Sequence, residues 1–91
     1  MAQKARQLVA PFQKQIGPWQ ARLAHLRVMT MVRAKEDVRT EAAKLVPLVV
    51  ATRVELEAAV AELGDDAVAH HNSVSSVRAA LIRLREELES L

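Results

Sequence analysis

The chain contains no cysteine and no tyrosine, and only one Phe and one Trp. Without cysteine it forms no disulfide, offers no nucleophilic thiol and builds no thiolate metal site. Two glycines and three prolines are too few to punctuate many turns, so few long elements are expected and an ordinary β-rich enzyme domain is not. Long uncharged apolar runs are missing too. The most apolar stretch, Leu45 to Ala51, contains Pro47 and falls well short of the roughly 18–20 residues that a membrane-spanning helix needs.

Acidic residues are missing from one region. Residues 1–33 hold Lys4, Arg6, Lys14, Arg22, Arg27 and Arg33 and no Asp or Glu, a charge of +6. The remainder holds 7 bases against 11 acids, a charge of −4, which leaves the whole chain at +2. Such asymmetry is information about partners and not about fold. Charged and Gln residues also interrupt the first 20 positions, which is unlike a secretory signal. The acid-poor, Arg-containing start does resemble a mitochondrial transit peptide, although it has no Ser. A soluble cytoplasmic chain is expected, with a mitochondrial one as the alternative.

What the chain has in quantity is Ala, Val and Leu, which carry most of an apolar content of 51%. At 91 residues it makes one small domain that buries about 60–65% of its unfolded surface. From Val74 onward, Val74, Val77, Leu81, Leu84, Leu88 and Leu91 alternate spacings of three and four, the seam of a heptad helix. Val38, Ala42, Leu45, Val49, Thr52, Leu56, Ala59 and Leu63 keep the same alternation upstream. Between them, Gly64-Asp65-Asp66 supplies a glycine to close one helix and an acid to cap the next. A turn so short makes the two helices antiparallel. Counting outward from it sets Leu91 opposite about Val38.

The fold predicted is therefore all-α: an antiparallel hairpin with heptad seams, completed as a three- or four-helix bundle within the chain or by oligomerisation. Val46, Val50, Val54 and Val60 lie beside the second helix's seam, and Ile82 off the third's. A bare hairpin leaves these wet, so a third helix or a second copy must cover them. Residues 1–17 read as a basic arm with a short helix around Leu8, Phe12 and Ile16. Residues 18–91 read as the bundle, with helices over about 19–35, 36–63 and 66–91. Gly17-Pro18 is the break between arm and bundle. Pro47, at an outward heptad position, reads as a kink within the second helix, because the seam keeps its phase across it. Leu91 ends the sequence on a seam position, where the helix either frays or belongs to a longer chain.

Candidate chemistry is sparse. Asp66 and His70 stand four apart, on one helical face as metal ligands require, yet they supply only two ligands. His70 reads better as a polar seam residue setting register. The serines at 73, 75 and 76 have no base-and-acid arrangement beside them, though Asn72 or Ser73 could cap a helix starting later. Arg83–Glu87 and Arg85–Glu89 are surface pairs worth about 0.2–0.5 kcal/mol each. No enzyme, metal, cofactor or small-molecule substrate is expected.

The expected role is assembly. Leu45, Val49, Leu56, Leu63, Val74, Val77, Leu81, Leu84 and Leu88 are the packing or partner seam. Lys14, Arg22, Arg27 and Arg33 are a basic face, and Trp19 with Leu23, Leu26 and Thr30 forms a stripe widened by Val28, Met29, Met31 and Val32. Trp19 reads as the anchor of a bundle end, or of an interfacial helix if the segment lies on lipid. The partners expected are another protein or a second copy first and an anionic membrane surface second. Nucleic acid comes last, because no aromatic interleaving accompanies the basic residues.

Overall fold

A computed structural model describes residues 2–32 and 34–91, the side chains of 2–7 excepted. The described residues form helices α1 (Ala2–Met29), α2 (Lys35–Leu63), the single turn α3 (Asp66–Ala69) and α4 (His71–Glu89). The fold is all-α, as the periodicity predicts. The three long helices run up, down and up. The bundle measures 48 × 18 × 15 Å, close to the roughly 42 Å length of the 28-residue α1 alone.

The hairpin of α2 and α4 takes the expected register. Arg39 Nε donates to the Leu91 carbonyl at 3.2 Å, which sets the end of the chain beside the start of α2. Gly64 closes α2 with φ 58° and ψ −125°, and its N–H bonds to the Ala61 carbonyl. That positive φ is open to glycine and costly for any residue with a Cβ. The helix expected over 66–91 is interrupted. Asp66–Ala69 makes one turn, His70 leaves helical geometry at φ −112° and ψ 16°, and α4 starts at His71. Neither Asp65 nor His70, at the two N-cap positions, makes a side-chain cap bond.

The main departure from expectation is in the first third. No arm ends at Gly17-Pro18: α1 is one helix that contains both Pro11 and Pro18, and it stops at Met29 instead of running to 35. Its buried residues are Val9, Ile16, Leu23 and Leu26, with Phe12 and Trp19 packed against the same core. Val9, Phe12, Ile16, Trp19, Leu23 and Leu26 thus form one unbroken alternation of three and four through the glycine and the proline. A proline in a helix loses one hydrogen bond and crowds the carbonyl four residues back. Both prolines sit on the exposed side, as does Pro47 in α2. On that side the carbonyls freed by the prolines can bond to water. At Pro47 a full break is excluded, since α2 continues through it.

The turn between α1 and α2 contains no Gly or Pro. It is built from local bonds: the Met31 and Val32 N–H groups donate to Val28 and Met29 carbonyls, each at 3.1 Å, and the Thr30 hydroxyl donates to the Arg27 carbonyl at 2.6 Å. Ala34 is extended, with ψ 134°, and α2 then starts with Glu36 and Asp37 in its first turn. These acids favour the positive end of the helix dipole.

One core joins the helices. Leu26, Leu56, Leu81, Leu84, Val38 and Val49 are its largest fully buried side chains, contributed by α1, α2 and α4. Thr52 is the polar exception. Its hydroxyl donates to the Leu48 carbonyl at 2.9 Å and lies 3.3 Å from Gln15 Oε1 on α1, so its burial leaves no unmet polar group.

Candidate functional site

Most seam residues converge in this core, Val49, Leu56, Val77, Leu81, Leu84 and Leu88 within it and Leu45 packed against it, whereas Val74 and Leu63 stand apart toward the Gly64 end. Val49, Leu56, Val74, Val77, Leu81, Leu84 and Leu88 are buried, and Leu45 and Leu63 are half-buried. These residues mainly hold the bundle's own helices together, and of them Val49 and Leu81 also reach the floor of an open groove between α2 and α4.

The basic residues of α1 do not share a face. Arg22 pairs with Glu41 of α2 at 3.3 Å, whereas Arg27 pairs with Glu87 of α4 at 3.0 Å. The two cations flank the apolar seam on opposite sides and each meets an acid of the hairpin. Lys14 is exposed, and Arg33 lies outside the described residues. The physical reason is the docking of α1: a basic helix inserted along an acidic hairpin turns its flanking charges toward both neighbours. Trp19 packs half-buried against the core, between the buried Ile16 and Leu23, well inside α1 and not at an end of the bundle.

The α2–α4 side carries its own pairs. Arg78 grips Glu57 through two bonds, at 2.5 and 2.9 Å. That hydrogen bond lowers the Glu57 carboxyl below its ordinary value; partial burial opposes the shift, and the charges of Arg78 and Arg53 add to it. The Arg78 guanidinium is raised in turn by the Glu57 bond. Arg85 bonds to Glu89 at 2.7 Å within α4, while Glu87 turns away from Arg83 to meet Arg27. His71 Nε2 lies 3.4 Å from the Ser75 hydroxyl. Among the described residues no three of His, Asp and Glu gather where they could hold a metal ion, and no helix is long and apolar enough to cross a membrane.

Among the described residues, two uncovered apolar surfaces stand out beside the exposed Leu48 and Val68. One is the tip of the α1–α2 turn, where Val28, Met31 and Val32 are 63%, 87% and 74% exposed. The other is the flank between α2 and α4, a shallow groove lined by Val49, Val50, Val54, Leu81 and Ile82, with Arg53, Glu57, Arg85, Glu86 and Glu89 at its rims. Val54 is 64% exposed there. A third helix or a second copy was expected to cover Val46, Val50, Val54 and Val60. Instead α1 lies on the other flank, where Gln15 meets Thr52 and Arg22 meets Glu41. Val46 and Val60 pack against the core, but Val50 is half-exposed and Val54 open.

This surface carries a pattern that the main seam conceals. Ala43, Pro47, Val50, Val54, Glu57 and Ala61 again alternate four and three, and all but the half-exposed Val50 are exposed. Scanning α2 for a second phase would have found it in the sequence. Compared with models of protein families, with curated proteins and with solved structures, the chain matches none.

Proposed function

We infer that this chain is a non-catalytic helical interaction module whose work is assembly within a larger protein complex. The observation that carries this reading is the second apolar phase of α2. The bundle closes its core with α1, α2 and α4 and still leaves Val50, Val54 and Ile82 in an open groove. An apolar strip rimmed by charge is the form that a helix-docking surface takes. Its direct test is the mass of the native species isolated gently from the source cells. Assembly predicts a particle larger than the 10.1 kDa chain; recovery of the bare chain from every fraction contradicts it.

A second reading, contact with an anionic membrane surface, draws on the exposed Val28, Met31 and Val32. It has less to work with than the sequence promises. Leu23 and Leu26 are buried and Trp19 is packed inward, so the stripe from Trp19 to Val32 cannot lie on lipid without undoing the core. Glu36 and Asp37 offset Lys35 at the same end of the bundle. Co-sedimentation with anionic vesicles separates the two readings. Assembly predicts no binding that weakens with salt.

A further inference from the structure

We propose that two copies of this chain exchange α1: the turn at Ala34 straightens, α1 and α2 join as one helix, and each α1 docks in the core of the other copy. This deepens the assembly reading, on which it rests, and names the partner as the chain itself.

The α1–α2 turn lacks the residues that stop a helix. The Thr30 N–H bonds to the Leu26 carbonyl at 3.0 Å, and the Met31 and Val32 N–H groups bond three residues back, so helical bonding runs on to Val32 in a tightened form. Ala34, just before α2, makes no side-chain cap bond, and alanine is a poor N-cap. Its φ of −60° is already helical, and its ψ of 134° is not. No residue from Thr30 to Ala34 is Gly or Pro, so a helix through this stretch meets no breaker. At the other end of α2, Gly64 has φ 58° and ψ −125°, a backbone that no helix contains. One turn stops its helix by residue type and the other does not, and the element beyond the second is α1.

The exposed residues of that turn fit the joined helix. Val28 and Met31 are out of phase with α1, whose seam passes through Leu23 and Leu26. They are in phase with α2: Val28, Met31, Lys35, Val38 and Ala42 alternate three and four, and Val38 and Ala42 are buried. A helix continuous through Ala34 therefore extends the seam of α2 back to Val28. At the two-fold axis it crosses the same stretch of the second copy, which covers Met31.

Charge selects the occupant. Residues 1–33 carry +6 and the remainder −4, so α1 of one copy is drawn to the hairpin of another. Exchange remakes Arg22–Glu41, Arg27–Glu87 and Gln15–Thr52 between copies and gives up none of the core. Because both forms hold the same contacts, concentration decides between them. They interconvert slowly, since α1 must leave one core to enter the other.

The test is refolding of the full chain from urea at micromolar and at millimolar concentration, followed by gel filtration with light scattering. The expected result is 10.1 kDa from the dilute sample and a second species of twice that mass from the concentrated one. Joined over Ala2 to Leu63, the helix is roughly 93 Å long, so small-angle scattering finds a particle about twice the 48 Å length of the monomer. Ala34→Pro keeps the closed turn's φ and blocks the joined helix, raising the dissociation constant more than about a hundredfold. Met31→Asp, 87% exposed in the monomer, weakens the dimer without altering the hinge, and Val68→Asp, equally exposed on α3, leaves it alone. Because the chain has no native cysteine, Arg22→Cys refolded together with Glu41→Cys yields a pair linked by a short thiol cross-linker. A monomer after millimolar refolding, a dimer that survives both Ala34→Pro and Met31→Asp, or no link between the mixed variants overturns the proposal. If the purified chain is monomeric while the native species is large, the assembly reading stands and only the exchange fails.

Discussion

Leu26→Ala separates a docked α1 from a basic arm. Leu26 is 1% exposed and belongs to the common core. Truncating such a leucine removes its transfer free energy and leaves a cavity, together about 2–5 kcal/mol. A domain of this size shifts its melting temperature by about 4–8 °C per kcal/mol, so a fall of roughly 8 °C or more is expected. Helix propensity works in the opposite direction, since alanine is the better helix former. An undocked α1 would therefore show no loss, or a slight gain. Val28→Ala, two residues on and 63% exposed, is the control, with a change within about 0.5 kcal/mol. The assay is circular dichroism at 222 nm during heating, at one fixed protein concentration because self-association would move the midpoint. A Leu26→Ala melting curve that overlays the wild type refutes the docking of α1.

Further expectations follow from single positions. Pro18→Ala should stabilise the chain by roughly 1–3 kcal/mol, because a continuous α1 regains a hydrogen bond and loses a clash; a turn at Gly17-Pro18 would give no gain in a urea titration. Gly64→Ala meets no neighbouring atom, so its cost, about 1–3 kcal/mol, is purely that of a side chain at φ 58° and is read from the urea midpoint. Glu57→Gln should cost no more than about 1 kcal/mol near neutral pH, since the Arg78–Glu57 pair is 30% and 45% exposed and solvent screens it. The folded Glu57 value lies below its ordinary 4.5, so this contribution is present above about that pH and lost as pH falls through the folded value. The urea midpoints of wild type and Glu57→Gln should converge in acid; a gap that widens there contradicts the pairing.

The hairpin was legible because periodicity and turn chemistry agree across Val38–Leu63, Gly64 and Val74–Leu88. Val46, Val50, Val54 and Val60 pointed to a third helix or a second copy, yet the third helix packs on the other flank and leaves Val54 exposed. What failed was the weight given to Gly17-Pro18. The dipeptide is a strong local turn signal, but Phe12, Ile16, Trp19 and Leu23 carry one apolar phase across it. The same phase argument, applied to Pro47, gives a continuous helix. The turn at Thr30–Ala34 has no punctuating residue, so its position comes from packing: α1 must end where α2 can return beside it. The flank that α1 occupies was also hidden. It is marked by contacts remote in sequence, Arg22 with Glu41 and Arg27 with Glu87, which no local pattern encodes.

The docking of α1 decides which surface of α2 is left for a partner, and native-state hydrogen exchange of the isolated chain tests it most directly. Amides of residues 20–28 in α1 should exchange as slowly as those of 77–85 in α4, both through the same global unfolding. Exchange in α1 faster by about a hundredfold or more would mean that α1 opens alone. The hairpin would then carry the stability by itself, and the claim that α1 is a full member of the core would fail.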